Sequence, residues 1–167
     1  WNLGGPGFIN LSFLGTYMLE KSLDNGVTDY DCAGFVGDQC WQPHARWRHR
    51  VRASWQTNFN ATISLGWRFI SSVLNEVASD NPHLADPDEI EPWKVNGAYE
   101  LPAYNFFDLA ATYSFRDGLR LTLGVNNILD KDPQIAPGLD ANDYGPGFFG
   151  MYDPLGRNLY ASLQFEF

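Results

Sequence analysis

The chain has 167 residues, of which 44 % are hydrophobic, so it can form a folded domain and wholesale disorder is excluded. Its net charge of −9 argues against a nucleic-acid partner, because carboxylates repel phosphates. A transmembrane helix is excluded, since the chain lacks an apolar run of about 18 residues.

Six segments with alternating apolar and polar residues follow one another along the chain, as in strands with one buried face. They are residues 8–21, 46–56, 60–70, 105–115, 119–127 and 157–167. The connections between them alternate between long and short, and the short connection 116–118 contains the Asp-Gly pair of a tight hairpin. The pattern predicts an all-β antiparallel meander of about six strands. Long and short connections in alternation are typical of an outer-membrane barrel.

The second segment carries an arginine at each even position from 46 to 52, between apolar residues at odd positions. An arginine on a lipid-facing surface costs about 2–4 kcal/mol at the bilayer midplane. We therefore expect the even positions to face a watery lumen and the odd positions to face lipid. The lumen-facing candidates are Arg48, Arg50, Arg52, Arg68 and Arg120. These arginines could attract an anionic ligand, although pairing with carboxylates inside the barrel is the simpler interpretation.

Aromatic residues at odd positions gather near both ends of the predicted strands, with aliphatic residues between them. The group predicted at the external rim is Tyr17, Trp47, Trp67, Phe69 and Phe107, and the group at the periplasmic rim is Trp55, Tyr113, Phe115, Phe165 and Phe167. Two aromatic girdles around an aliphatic band are the pattern that a bilayer selects. The odd face therefore favours a membrane barrel over a soluble sandwich.

Three stretches carry a family resemblance. Residues 30–50 contain Cys32 and Cys40 followed by Trp-Arg-His-Arg; residues 124–133 read Gly-Val-Asn-Asn-Ile-Leu-Asp-Lys-Asp-Pro; and residues 152–157 precede a strand that ends in Phe167. Together they resemble the C-terminal end of TonB-dependent outer-membrane receptors. The resemblance implies that residues 1–167 are the C-terminal portion of a 22-stranded barrel domain. The plug domain and the earlier strands would then lie outside this chain, which opens at Trp1 without a signal peptide and is expected to be a fragment.

The same resemblance implies a function and a set of partners. The protein would be part of an active transporter in the cell outer membrane of a Gram-negative bacterium, energised by the TonB system. Its cargo would be a scarce ligand of the ferric siderophore, vitamin B12 or oligosaccharide class. The implied partners are outer-membrane lipid, the protein's own plug domain, TonB, the barrel assembly machinery and the small-molecule ligand. No cofactor is implied, and the sequence shows no nucleophile with a base, so an enzyme is not expected.

Several residues are candidates for special roles. Cys32 and Cys40 lie in a predicted external loop, where oxidising conditions favour a disulfide that would stabilise the loop by about 2.5 kcal/mol; the alternative is a metal or redox pair. His44, His49 and His83 lack metal-ligand spacing, so no metal site is expected. The external-loop candidates for ligand contact are Trp41, Trp93, Tyr144, Phe148 and Phe149. These aromatic side chains could stack on a sugar or a chelate, or pack the loops over the barrel mouth.

The end of the chain offers a last candidate. Phe165 and Phe167 close an alternating apolar segment, which resembles the signal that the barrel assembly machinery recognises; ordinary girdle packing is the alternative.

Two other functions stay open at this point. One is a secreted soluble β-sandwich that binds carbohydrate, and the other is a porin or adhesin barrel without a plug. The sequence upstream of this chain would separate a receptor from a porin.

Overall fold

The computed structural model of the protein describes residues 5–24, 26–115, 118–133, 152 and 155–166. In chain order, its strands are β1 (Phe8–Tyr17), β2 (Ser22–Asp24), β3 (Asp29–Asp31), β4 (Phe35–Val36), β5 (Trp47–Gln56), β6 (Ala61–Ile70), β7 (Val73–Asn75), β8 (Glu100–Leu101), β9 (Tyr104–Ser114), β10 (Leu119–Asn126) and β11 (Asn158–Phe165). The six long strands form one antiparallel sheet in the order β1-β5-β6-β9-β10-β11. The predicted all-β meander of six strands is confirmed. Strands β1 and β11 are the two edges of this sheet.

The register of the sheet separates odd from even positions across all six strands. Arg50 lies opposite Arg68, and Leu65 lies opposite both Ala53 and Leu109, so residues of one parity share one face. The odd face is apolar and open. Its exposed side chains include Leu11, Phe13, Leu65, Leu109, Leu123, Leu163 and Phe165, of which Leu11 is 64 % and Phe13 62 % exposed.

The short strands belong to the long loops and join them to each other. Strands β2 and β3 form a hairpin, while β4 pairs in parallel with β7, which pairs antiparallel with β8. The loop 18–46 is thereby hydrogen-bonded to the loop 71–103. A compact core forms where these loops meet the even face at one end of the sheet. Its buried members are Val36, Ala45, Ile70, Val73, Ala98, Leu101, Tyr104, Phe106 and Tyr152.

Backbone hydrogen bonds join the strands that flank the two short connections. The carbonyl of Ala61 accepts a hydrogen bond from the Thr57 N–H at 2.8 Å, and Asn60 has a φ of 61°, which asparagine tolerates. Gly118 follows β9 with a φ of 75°, and a Cβ there would collide with the Glu166 carbonyl oxygen. Glycine is therefore required at this turn for two separate reasons.

Helical structure is confined to the loop 71–103 within the described residues. It consists of a single 3₁₀ turn (Glu76–Ala78) and the helix α1 (Ile90–Val95), which has Pro92 in its first turn. In the part of the chain that the structure describes, neither helix has the length and apolarity needed to cross a membrane. These helices and the five short strands were not predicted from the sequence, because elements of two to six residues show no recognisable period.

Candidate ligand-binding site

A half-buried ion pair organises the even face of the sheet. Arg68 donates from Nε to Asp108 Oδ2 at 2.8 Å and from Nη2 to Asp108 Oδ1 at 3.0 Å. The Arg68 guanidinium also lies 4.9 Å from the centre of the Phe106 ring. Asp108 accepts a further hydrogen bond from the backbone N–H of Asn127 at 3.0 Å. This carboxylate therefore joins β6, β9 and the turn after β10.

A depression of about 280 Å³ opens beside this ion pair. Its lining includes Arg50, Arg52, Ser64, Asn126 and Tyr160 in addition to the pair itself. Arg50 lies directly opposite Arg68 in the register, so two cations face each other and a single aspartate in the lining offsets them. Both Arg50 and Arg52 are exposed. The depression is consequently a positively charged surface on the even face.

The turn that follows β10 is fixed by side-chain hydrogen bonds. Asn127 is fully buried, with its Nδ2 donating to the Lys131 carbonyl at 2.8 Å and its Oδ1 accepting from the Lys131 N–H at 3.0 Å. Asp130 accepts the Arg157 backbone N–H at 2.8 Å, which links this turn to the start of β11. Asn127 and Asp130 have φ values of 51° and 54°, a conformation that these residue types adopt more readily than others. The Asn-Asn-Ile-Leu-Asp-Lys stretch thus orders the loop.

Cys32 and Cys40 form a disulfide with a Cα–Cα distance of 5.5 Å. The bridge is buried in a second small core with Tyr30 and Leu84, where Leu84 comes from the loop 71–103. The structure therefore contains the disulfide that the sequence predicted. It also packs the disulfide loop against its neighbouring loop.

A buried carboxylate holds the disulfide loop in place. Glu76 accepts the Gln39 N–H on Oε1 at 2.9 Å and the Cys40 N–H on Oε2 at 2.8 Å. Burial raises the pKa of Glu76, and these backbone hydrogen bonds oppose that shift. Gly37 lies against the Glu76 side chain with no space for a Cβ. Sequence reasoning missed Glu76, because its partners lie 36 and 37 residues earlier in the chain.

Trp41 projects from the disulfide loop beside a second cavity of about 460 Å³. The Trp41 side chain is 69 % exposed, although its backbone has a φ of 63°. The Gln42 N–H donates to the Cys40 carbonyl at 2.8 Å and so closes a γ-turn around Trp41. A positive φ in such a turn is rare and strained, above all for a bulky residue. The cavity lining is Lys21, Leu23, Asp24, Tyr30, Gln39, Cys40, Trp41, Gln42 and His44.

An aromatic cluster surrounds His49 on the odd face near the loop end of the sheet. The Trp47 Nε1–H donates to His49 Nδ1 at 2.9 Å, and the Trp67 and Phe69 rings lie 4.5 and 5.0 Å from the imidazole. Trp47 covers Gly15, where a Cβ would collide with its ring. These contacts bring together Trp47, Trp67 and Phe69 of the group that the sequence predicts at the external rim, and Phe107 stacks on Trp67 with ring centres 6.3 Å apart.

The other predicted site residues are distributed as follows. Arg48, Arg50, Arg52, Arg68 and Arg120 share the even face by register, and their exposure to a lumen stays a prediction. Trp93 is partly buried and packs against the loop core. Phe165 is 58 % exposed on the odd face of β11. Tyr144, Phe148, Phe149 and Phe167 lie outside the described residues. Within the described ranges, no three His, Cys, Asp or Glu side chains converge as metal ligands would.

Comparison with solved structures finds a similar fold over nearly the whole of this chain. Two variants of the ferric enterobactin receptor PfeA from Pseudomonas aeruginosa match it with TM-scores of 0.54 and 0.55. The sequence identities are 17 % and 16 %, and the matches cover 93 % and 96 % of this chain. They cover 19 % and 20 % of the receptor chains, so this chain spans about a fifth of their length. No protein-family model and no curated protein sequence matches the chain.

Proposed function

We propose that residues 1–167 are the C-terminal portion of the barrel domain of a TonB-dependent receptor in the outer membrane of a Gram-negative bacterium. The observation that carries this proposal is the contrast between the two faces of the six-stranded sheet. The odd face exposes leucine and aromatic side chains across the strands, whereas arginines occupy the even face. A bilayer stabilises the first face, and a hydrated lumen accommodates the second.

The similarity to ferric enterobactin receptors supports an uptake function. In this proposal the protein takes up a scarce small molecule, and the TonB system supplies the energy through the plug domain of the full-length protein. The long connections 18–46 and 71–103 are the external loops. The arginines of the even face line the lumen, where they bind carboxylates of the plug. The protein is a transporter and not an enzyme.

The orientation of the sheet in the membrane can be tested with two arginine substitutions in the same strand. Leu163 is an odd-face residue of β11 that is 55 % exposed, and its neighbour Ser162 is on the even face. In the full-length protein, Leu163→Arg places a charge in lipid and should lower the amount of folded receptor in the outer membrane. Ser162→Arg should leave that amount close to the wild-type level. The measurement is heat-modifiable migration of the receptor from isolated outer membranes.

Two outcomes would overturn the proposal. Equal amounts of folded Leu163→Arg and Ser162→Arg protein would show that the odd face does not contact lipid. The sequence upstream of residue 1 gives the second test, since a receptor requires a plug domain there. Further strands without a plug would replace the receptor with a porin or an adhesin.

A further inference from the structure

The cavity beside Trp41 is chemically different from the arginine-lined depression on the even face. Its polar lining groups are mostly neutral, namely the amides of Gln39 and Gln42 and the hydroxyl of Tyr30. Lys21 and Asp24 contribute one charge of each sign. Burial lowers the pKa of His44, which leaves its imidazole neutral at pH 7. The cavity therefore carries no net charge.

The turn that presents Trp41 is held from several directions. Cys40, which precedes Trp41, is fixed by the disulfide and by its N–H hydrogen bond to Glu76. The Trp41 N–H itself donates to the Gly37 carbonyl at 2.6 Å. His44 Nε2 lies 3.2 Å from the Cys40 carbonyl oxygen, which also accepts the Gln42 N–H. These contacts hold the strained backbone of Trp41 and keep its indole exposed to solvent at the edge of the cavity. Backbone strain of this kind clusters at ligand sites.

We propose that this cavity binds a neutral sugar unit of an oligosaccharide, whose ring stacks on the Trp41 indole. An indole offers a broad apolar face to the C–H side of a sugar ring, and neighbouring amides and hydroxyls supply donors and acceptors for its hydroxyl groups. Gln42 offers both a donor and an acceptor, which matches the dual character of a sugar hydroxyl, and Gln39, whose Oε1 accepts the Tyr30 hydroxyl at 3.4 Å, offers its amide donors. Tyr30 and Asp24 complete the polar side of the site.

The charge balance distinguishes this ligand class from an anionic metal chelate. An anionic chelate requires an excess of cationic groups, and Lys21 is already offset by Asp24 in the lining. The surrounding loop 18–46 also carries Asp29, Asp31 and Asp38. This inference rests on the proposed transport function, because it names the class of the cargo.

The test uses the full-length receptor, purified in detergent after extraction from the outer membrane. The probe is an array of neutral oligosaccharides of α- and β-linked hexoses and pentoses, and calorimetry then measures the affinity of any oligosaccharide that binds. We expect binding that Trp41→Ala weakens about tenfold or more and that Trp41→Tyr largely preserves, since tyrosine retains a stacking face. Val95→Ala, an exposed substitution on α1, is the control and should not change the affinity.

Three results would overturn the inference. They are the absence of binding to any neutral oligosaccharide by a receptor that is folded and heat-modifiable, an affinity that does not depend on Trp41, and a preference of the Trp41 site for a ferric catecholate. In each case the receptor would still be inserted in the outer membrane, so the proposed function would stand. Failure of membrane insertion would contradict the proposed function itself.

Discussion

Arg68 and Asp108 lie on adjacent strands and share two hydrogen bonds, with about a quarter of each side chain exposed. Because Asp108 also accepts the Asn127 N–H, the pair connects the strands β6 and β9 with the turn after β10. A planar guanidinium suits this two-point contact, and an ammonium does not. The pair is therefore a stabilising contact of the six-stranded sheet, in contrast to an exposed surface ion pair.

Arg68→Ala should lower the free energy of unfolding by about 1–3 kcal/mol, because the half-buried Asp108 carboxylate loses its cation. Arg68→Lys should lower the free energy of unfolding by less, because lysine keeps the positive charge but cannot make both hydrogen bonds of the guanidinium. Denaturant unfolding of the full-length protein in detergent measures both losses. The control is Arg157→Ala, because Arg157 and Asp130 are 3.3 Å apart and half exposed, and a loss of no more than about 1 kcal/mol is expected there. Equal losses for the two alanine variants would contradict the interpretation of Arg68.

Glu76 should make the stability of the disulfide loop depend on pH. Its pKa in the folded protein is raised above the ordinary value of 4.5 by burial. The contribution of Glu76 is therefore fully present below pH 4.5 and is lost as the pH rises through the raised folded-state pKa. Glu76→Gln removes this titration, so the hydrogen-exchange protection of the loop in the wild-type protein, relative to the variant, should fall as the pH rises above 4.5. Hydrogen exchange of the peptide that contains Gln39 and Cys40 measures this ratio, and a constant ratio would refute the prediction.

Gly124 and Tyr160 should be coupled on the even face of β10 and β11. The two residues are directly opposite in the register, and the Tyr160 ring fills the space where a Cβ of residue 124 would lie. Gly124→Ala should therefore destabilise the wild-type protein, because the ring must move. In a Tyr160→Ala background the same substitution should be neutral or stabilising, since alanine in a strand is favoured over glycine by about 0.5–1 kcal/mol. A double-mutant cycle by denaturant unfolding tests this change of sign, and additive effects would exclude the coupling.

Under the proposed function, Phe167 should promote assembly of the barrel in the membrane. In the full-length protein, deletion of Phe167 should lower the amount of folded receptor in the outer membrane more than Phe165→Leu does. The reason is that an alternating strand with a terminal aromatic group can add to an exposed sheet edge of the assembly machinery. Heat-modifiable migration measures the folded amount. Unchanged insertion after the deletion would leave Phe167 as an ordinary girdle residue.

The six long strands could be predicted because each has five or more alternating positions, and the arginines between apolar residues in β5 fix which face is polar. The structure of the loops was harder to predict from the sequence. Strands such as β4, with two residues, exist only because β7 offers them a partner, and the sequence carries no periodic signal for that pairing. The otherwise polar even face also carries the apolar residues Ile70, Tyr104 and Phe106. The loops bury these side chains, and the sequence pattern does not reveal that contact.

The candidate site was predicted by residue type but not by geometry. The pairing of Cys32 with Cys40 could be predicted because two cysteines in one loop have a single way to pair with each other. The sequence identifies Trp41 as an aromatic loop residue, whereas the turn that exposes it depends on hydrogen bonds that residue spacing does not reveal. Glu76 is one acidic residue among many in the loops, and only the approach of Gln39 and Cys40 distinguishes it.

The parallel pairing of β4 with β7 constrains the order in which this part of the chain can assemble. Phe35 pairs with Leu74 and Val36 with Asn75, and the whole β5–β6 hairpin lies between them in the sequence. Closing that long segment as a free loop would cost entropy for only two residue pairs. Once the β5–β6 hairpin has formed from its turn at Asn60, β4 and β7 are already close to each other. Their pairing then requires little further loss of chain entropy. We therefore expect the loops 18–46 and 71–103, with the disulfide and Trp41, to become ordered after the six-stranded sheet has formed.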